Sequence, residues 1–387
     1  MLATTMIIYY NRQLPFYPFR FHHPPPPLPS HPSMQTAVAL IPVYPMYGGG
    51  EEGETRNPSP PLAEETPMER TIREIRQGRV SRGKGIFKET FSTETASKLI
   101  RALEDPGCRL LYLDLSDGII QSKSVLEVFI RYAKKLPPVL DLSGSCAMTD
   151  FVVPEMCRML KRCGVRSLVL RRCKYLTMLG VQFFFQLSTQ YHLRLLDLSG
   201  SGIRGITYPS KCGDSNIQCL NLSGNVFGEK ALSEFSDALM DRKFPALNSL
   251  FLERCGISGR YGVEFVAALA GMELVHLGLG GNQMNSHTIT TLLGLVRVEH
   301  FSFRGIKVTK NSLKDILHSL RSSNRSHVLK TLDFSNTRLK SRDMMDMKCS
   351  FQALSGIREI NFSGNFGDGF ETKRVRSMLL DCGIIMG

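Results

Sequence analysis

A short motif recurs ten times along this chain and constrains its fold more than any other feature. The clearest copy reads Ile-x-x-Leu-x-Leu-x-x-Asn-x-Phe over residues 217–227. Its apolar residues are spaced as in a short strand that turns one side inward, and the asparagine falls where the chain must bend away. The motif therefore predicts a row of short strands, one in each repeat.

The copies follow one another at a spacing that leaves room for a helix. Neighbouring copies begin 24 to 31 residues apart, with a mean near 27. After a strand and bend of about eleven residues, roughly sixteen remain, which is enough for a helix and its connections. Apolar residues at helical spacing in 125–133 and 232–239 agree with this. The copies start at Leu110, Pro137, Val165, Leu193, Ile217, Leu247, Leu274, Val298, Leu329 and Ile357.

Ten units of strand, bend and helix resemble the ribonuclease-inhibitor class of leucine-rich-repeat proteins. The resemblance covers residues 92–383, with cap helices at both ends of the repeats. It implies an α/β solenoid, or horseshoe, with a parallel sheet on the inner curve and helices on the outer curve. Strand–helix–strand connections favour the same arrangement, because parallel neighbours need a long crossover.

The bend positions predict a polar ladder across the repeats. Asn, Ser, Thr and Cys side chains can all hydrogen-bond the backbone of a neighbouring turn, which gives Cys173 and Cys255 a structural role. Ile306 does not fit, and a local irregularity is expected there. The bend positions are Gly118, Ser145, Cys173, Ser201, Asn225, Cys255, Asn282, Ile306, Thr337 and Asn365.

The first part of the chain differs in composition from the repeats. Fourteen of the 20 prolines lie within residues 1–67, so residues 1–68 are expected to be a disordered Pro/Gly-rich tail. P-x-x-P spacings at 24–27 and 26–29 could serve an SH3- or WW-type module. Residues 69–91 are expected to be a basic linker, or in part a first cap helix of the repeats. A polyanion-binding or nuclear-import segment is the alternative, with Arg73, Arg76, Arg79, Arg82 and Lys84 as its candidate residues.

Charge and cysteine usage bear on the compartment and the partner. The net charge is +13, and residues 1–67 contribute −2 of it, so the rest of the chain carries +15. Such a balance favours partners with acidic surfaces. The ten cysteines are scattered singly, which suits a reducing cytoplasmic or nuclear compartment. No apolar run is long enough to span a membrane, and the prolines from Pro15 onward disfavour a mitochondrial signal.

The inner face of the predicted sheet is where a partner is expected. Most residues after the inward leucines are Ser or Gly, and three repeats depart from this with Arg171-Arg172, Glu253-Arg254 and Arg304. Arginine offers a planar fork for carboxylates and is enriched at binding hot spots, so these five residues are the candidate partner-binding site. Harmless surface charge is the alternative interpretation.

Two other clusters are weaker candidates. Asp114 and Asp141 should lie on adjacent strands, about 5 Å apart, but Leu-Asp-Leu-Ser is a common form of the repeat. His276 and His300 should also be neighbours, yet no third metal ligand is evident. No phosphate-binding loop, dinucleotide fingerprint or zinc-finger spacing occurs. No catalytic, metal or cofactor site is therefore predicted.

The sequence favours a non-catalytic protein–protein interaction scaffold or adaptor that binds its partner on the inner face. One alternative is a nuclear nucleic-acid- or chromatin-associated factor that uses the basic segment 69–88. Another is a regulatory subunit of an enzyme, since some members of the resembling class are GTPase activators or ubiquitin-ligase receptors. The chain lacks an acidic tail after the repeats and a recognisable F-box before them.

Overall fold

A computed structural model describes residues 65–83, 87, 89–209, 213–258, 262–322, 328–354, 356–366 and 369–387. Residues 66–387 form one unit. The expected disordered tail and its P-x-x-P spacings fall almost entirely outside the described residues, so both stay predictions. Among the described residues, no helix combines the length and apolar character needed to cross a membrane.

One parallel sheet runs through the repeats. In the described part of the chain it has twelve strands, and each strand pairs with the next one in the sequence. Ten of them, β2 to β11, coincide with the ten predicted motifs, which confirms the fold class. The strands are β1 (Arg82–Gly83), β2 (Tyr112–Asp114), β3 (Val139–Asp141), β4 (Ser167–Val169), β5 (Leu195–Asp197), β6 (Cys219–Asn221), β7 (Ser249–Phe251), β8 (Glu273–Gly278), β9 (Arg297–Ser302), β10 (Thr331–Asp333), β11 (Glu359–Asn361) and β12 (Ile385–Met386).

Helices connect most of the strands and cover one face of the sheet. Several begin at a side-chain cap, as at Ser92, Ser122 and Asn285, whose oxygens accept a backbone N–H three residues on. The described helices are α1 (Pro67–Arg76), α2 (Thr93–Glu104), α3 (Lys123–Tyr132), α4 (Val153–Cys163), α5 (Met178–Ser188), α6 (Glu229–Met240), α7 (Gly262–Ala270), α8 (Ser286–Leu295), α9 (Lys310–Ser322), α10 (Ser341–Met345), α11 (Lys348–Gln352) and α12 (Gly369–Asp381).

The core lies between the sheet and the helices. In each strand from β2 to β11, the middle one of the last three residues is Leu, Ile or Phe and is at most 2% exposed. Burial of each such side chain contributes about 1.5–3 kcal/mol of hydrophobic free energy. Because strand residues alternate between the two faces, the residues on either side of each middle residue face away from the helices. We call this exposed side of the sheet the inner face.

The polar ladder at the bend is present. The Asn225 amide donates to the carbonyls of Leu198 and Leu222, at 2.9 and 2.8 Å, and its oxygen accepts the N–H of Ile203 at 3.0 Å. Cys255 belongs to the same ladder, because its thiol donates to the Leu222 carbonyl at 3.3 Å. The side chains thus satisfy buried backbone groups between repeats.

The expected irregularity at Ile306 is absent from the backbone. Gly305, the residue before it, has the same left-handed conformation as its counterparts in other repeats and donates to the Ser335 carbonyl at 2.8 Å. The apolar side chain of Ile306 is buried in the core, where the other repeats place a hydrogen-bonding side chain. Its repeat is stabilised by phenylalanine packing, with the rings of Phe303 and Phe334 stacked 5.6 Å apart.

One repeat departs from the predicted strand–bend–helix order. No helix occurs among the described residues between β5 and β6, where residues 203–209 run in an irregular path. Tyr208 packs there against Phe185 and Phe244, at ring-centroid distances of 5.7 and 5.1 Å. Residues 202–209 contain Gly202, Gly205 and a proline at 209, which disfavour a helix.

The segment 69–91, expected to be a basic linker, contributes to the solenoid. Thr66 and Glu69 form a capping box at the start of α1, and β1 pairs with β2. Ile72 and Ile75 of α1 are buried against α2. A first cap helix was the other expectation for this segment, and α1 is such a helix, although two isoleucines among several arginines give only a short apolar pattern.

Candidate protein-binding face

Three rows of side chains line the inner face, namely the first and the third of the last three residues of each strand, and the residue two positions after the strand. In β2 these are Tyr112, Asp114 and Ser116. The strand register places the equivalent residues of successive repeats side by side, as in the pairs Asp114–Asp141 and His276–His300. The sequence alignment that placed the candidate residues on neighbouring strands therefore agrees with the sheet.

The acidic residues at the last position of the strands hydrogen-bond the backbone of the following turn. Asp114 accepts the backbone N–H of Ser116 at 3.0 Å, and Asp197 accepts that of Ser199 at 2.9 Å. Asn361 makes the same bond to Ser363 at 2.9 Å. An Asp or Asn that hydrogen-bonds the backbone two residues on closes an Asx turn. The turn, rather than a shared cation, accounts for the repeated Asp.

The predicted partner-binding residues occur in repeats whose strand does not end in Asp or Asn; in one of these repeats Ser302 Oγ accepts the Arg304 N–H in a longer form of the same bond, at 3.4 Å. Val169, Phe251 and Ser302 are the last strand residues in those repeats. The hydroxyl of the preceding repeat takes over part of the role, since Ser143 Oγ accepts the N–H of Arg171 at 3.2 Å. Likewise, Ser223 Oγ accepts the N–H of Glu253 at 3.1 Å. These repeats thus keep the turn while presenting different side chains.

Arg171 and Arg172 each form an ion pair with another repeat. Arg171 Nε donates to Asp197 Oδ2 at 2.8 Å, and the two side chains are 30% and 1% exposed. Arg172 pairs with Asp117 at the same distance, but these side chains are 62% and 77% exposed. Surface pairs contribute little, typically ~0–1 kcal/mol, so Arg172 can exchange Asp117 for a partner at low cost. Arg171 is held more firmly.

Glu253, Arg254 and Arg304 come together near Asp333. Burial raises the pKa of Glu253, and the positive charges of Arg304 and Arg254 oppose that shift. Burial also lowers the pKa of Arg304, while Asp333 and Glu253 favour its charged form. These three candidate residues therefore form one mixed-charge cluster, separate from the Arg171–Arg172 pair by about three strand spacings, or ~14 Å.

Arg172 and Arg254 occupy a left-handed turn position. The ten equivalent positions of the repeats all have φ between 53° and 74°, and six of them are glycine. The other four are Asp117, Arg172, Arg254 and Asn336. Asp and Asn tolerate this conformation, whereas other residues with a Cβ lose about 1–2 kcal/mol there. The fold therefore holds these two arginines at a conformational cost; Arg242, elsewhere, is also left-handed.

The histidine pair is a packed stack. The rings of His276 and His300 lie 4.6 Å apart at 18°, and Phe251 stacks on the other side of His276. Burial, with a smaller contribution from His300, lowers the pKa of His276 to about 4. Across the described residues, no three His, Cys, Asp or Glu side chains are placed to hold a metal ion.

The inner face does not carry the positive charge of the chain. Across the three rows of β2 to β11, six acidic side chains accompany two arginines. The acids are Asp114, Asp141, Asp197, Glu253, Asp333 and Glu359, and the arginines are Arg171 and Arg304. The sequence pattern pointed to Arg171 without its partner Asp197, although the 26-residue separation of the two residues is close to one repeat.

The candidate polyanion-binding residues lie at one end of the same sheet. Arg73, Arg76, Arg79 and Arg82 are all exposed, the first two on α1 and Arg82 on β1. Lys84 falls outside the described residues. These cations are displayed on folded elements, in a part of the chain where a linker was expected.

The repeat geometry decides the class of fold, because each repeat combines a short inner strand, a left-handed turn and a bend residue at a fixed position after it. The chain folds as a leucine-rich-repeat solenoid. No protein-family model matches the sequence of this leucine-rich-repeat chain, and no curated protein matches it.

Several solved structures resemble the leucine-rich-repeat chain. The Rad7–Elc1 complex of yeast is similar at 14% identity over 72% of this chain and 86% of that chain, with a TM-score of 0.41. A TLR13–ssRNA13 complex is similar at 13% identity over 77% and 44%, with a TM-score of 0.42. An internalin from Listeria monocytogenes is similar at 14% identity over 77% and 76%, with a TM-score of 0.39. At these TM-scores the likeness supports no inference about function.

Proposed function

We propose that this protein is a non-catalytic protein–protein interaction scaffold or adaptor, whose partner binds the inner face around Arg171, Arg172, Glu253, Arg254 and Arg304. The observation that carries the proposal is the placement of Arg172 and Arg254 at left-handed turn positions. Six of the ten equivalent positions are glycine, so the fold has a cheaper residue for the same turn. Side chains kept at a conformational cost are a reason to look for function.

The same two arginines are the exposed members of the two clusters. Arg171 and Arg304 are partly buried beside acidic groups, so they position their neighbours, while Arg172 and Arg254 extend from the turns. A partner would place carboxylates or carbonyl oxygens opposite these two guanidinium groups, about 14 Å apart. The acidic remainder of the inner face favours a partner whose contact surface also carries basic or hydrogen-bond-donating groups.

The test replaces both arginines with the residue that other repeats use. Arg172→Gly with Arg254→Gly removes the guanidinium groups and restores the common turn. Relief of left-handed strain (~1–2 kcal/mol per site) and the greater flexibility of glycine (~0.5–1 kcal/mol) oppose each other, so the folded state is expected to survive. Arg242→Gly is the matched control, because Arg242 is also left-handed but follows α6, away from the inner face.

Full-length wild type, the double variant and the control serve as bait, and captured proteins are quantified by mass spectrometry. The proposal expects a protein that binds wild type and the Arg242→Gly control, and that loses at least about tenfold in affinity for the double variant. If every captured protein binds the folded double variant as tightly as wild type, the inner-face assignment is wrong.

A further inference from the structure

The edge of the solenoid where helices end and strands begin carries a row of exposed cations in its first five repeats. We call it the basic edge and define it by Arg76, Arg79, Arg109, Lys135, Arg166 and Arg194. All six residues are exposed. None of their side chains forms a hydrogen bond or ion pair with a residue that the structure describes. Their charges are therefore available to a ligand.

Backbone contacts place these residues side by side. The Arg194 N–H donates to the Arg166 carbonyl at 2.7 Å, which joins the residues that precede β5 and β4. The ends of α2 and α3 meet where the Lys134 N–H donates to Glu104 Oε1 at 2.9 Å. Strands are about 4.8 Å apart, so the row extends over roughly 20 Å from β1 to β5. It brings together residues more than a hundred positions apart in the sequence.

Helix dipoles do not explain this row. Basic residues at helix C-termini are stabilising everywhere, yet α6, α7, α8 and α12 have none in their last turn. Acids along the basic edge are engaged as caps, with Glu104 on the Lys134 N–H and Asp105 on the Gly107 N–H at 2.9 Å. In the later repeats, Arg297 and Lys330 of this edge are paired with Glu273 and Glu299, whereas the residues of the basic edge have no such pair among the described residues.

An exposed aromatic residue ends the helix that leads to Lys135 of this row. Tyr132 is the last residue of α3, two repeats after α1, and it is 63% exposed. It stands next to the carbonyl of Ala133, which accepts a hydrogen bond from Arg162 at 3.1 Å. Cations that follow a backbone, interrupted by an exposed ring, are what single-stranded nucleic acid requires, because every base can stack on an aromatic face. A chain of carboxylates without aromatic groups has no base to stack on the ring.

We propose that the basic edge binds single-stranded nucleic acid, with phosphates along the arginines and lysines and a base stacked on Tyr132. Arginine supplies five of the six defining residues of the basic edge and can grip a phosphate with two parallel hydrogen bonds. The inner face takes no part, so this site and the proposed protein-binding face can each be tested without the other.

The test measures fluorescence anisotropy of a labelled oligothymidylate of about 15 nucleotides against the full-length protein over a range of salt concentrations. Arg109→Gln, Lys135→Gln and Arg166→Gln together should weaken binding about tenfold or more and lower the slope of log affinity against log salt by about 2, since each lost phosphate contact removes ~0.7. The control removes three lysines at the opposite ends of helices: Lys123→Gln, Lys230→Gln and Lys310→Gln. It has the same net charge and should retain the wild-type slope.

Tyr132→Ala separates nucleic acid from other polyanions. Loss of one stacked base should weaken oligonucleotide binding about 5- to 150-fold while leaving the salt slope unchanged. Polyglutamate at equal charge concentration should displace the oligonucleotide poorly. Equal loss in the edge and control variants would overturn the proposal. So would an unchanged affinity in folded Tyr132→Ala together with full displacement by polyglutamate, because the edge would then recognise acidic charge alone.

Discussion

Asp197 performs two tasks that one series of substitutions can separate. Its Oδ1 accepts the Ser199 N–H at 2.9 Å and closes the turn, and its Oδ2 accepts Arg171 Nε at 2.8 Å. Asn closes the same turn at 221 and 361. Asp197→Asn should therefore keep the turn and weaken only the bond to Arg171, whereas Asp197→Ala should lose both.

The magnitudes follow from the burial of the pair. A hydrogen bond to a charged group contributes about 1.5–3 kcal/mol, and part of that remains with a neutral amide, so we expect Asp197→Asn to cost about 1–2 kcal/mol of unfolding free energy. Loss of the turn bond adds about 1 kcal/mol, which brings Asp197→Ala to about 2–4 kcal/mol. Asn361→Asp, at a partly exposed position without a neighbouring arginine pair, should change stability by less than about 0.5 kcal/mol.

The assay is urea denaturation at pH 7 followed by circular dichroism, with the slope against urea checked for constancy between variants. Equal losses for Asp197→Asn and Asp197→Ala would show that the turn bond and the ion pair are not separable. Losses below about 0.5 kcal/mol for both would show that the ion pair does not hold Arg171, and the reasoning about the inner face would need revision.

Two further predictions concern buried titratable groups. The pKa of His276 falls from 6.5 to about 4 on folding, so stability present above pH 6.5 should be lost as the pH falls through that range, by on the order of 3 kcal/mol. Urea titrations should show this loss reduced in His276→Gln and unchanged in His318→Gln, an exposed control. Burial raises the pKa of Cys173 to about 12, so iodoacetamide at pH 8 should alkylate exposed Cys146 and spare Cys173 until denaturant is added, as mass spectrometry can show.

The repeat pattern predicted the sheet because each strand is encoded within its own copy. Leu220 and Asn225 fall at fixed places in the motif, and both are buried as that motif requires. The absence of a helix from the described residues between β5 and β6 was not predicted, since the spacing of 24 residues there also occurs between Leu274 and Val298, where α8 is present. Both connections contain several glycines, and the proline at 209, rather than length, distinguishes the first.

The candidate site was only partly accessible to sequence reasoning. Arg172 and Arg254 could be found because they break a run of Ser and Gly. Their left-handed conformation could also be inferred, because most equivalent positions are glycine. The pairing of Arg171 with Asp197 depends on which side chains adjacent repeats bring together, and the cations near Tyr132 meet only because five successive helices end at one edge.

The irregular path of residues 203–209, between β5 and β6, has a consequence for how the solenoid unfolds. In repeat proteins, stability is close to a sum of repeat terms and nearest-neighbour interfaces. Between α5 and α6 the outer layer is continued by Tyr208, Phe185 and Phe244 instead of by two packed helices. We expect this to be the weakest coupling along the array, and hydrogen exchange should divide there into two cooperative units. The basic edge and Arg172 belong to the first unit, whereas Arg254 belongs to the second.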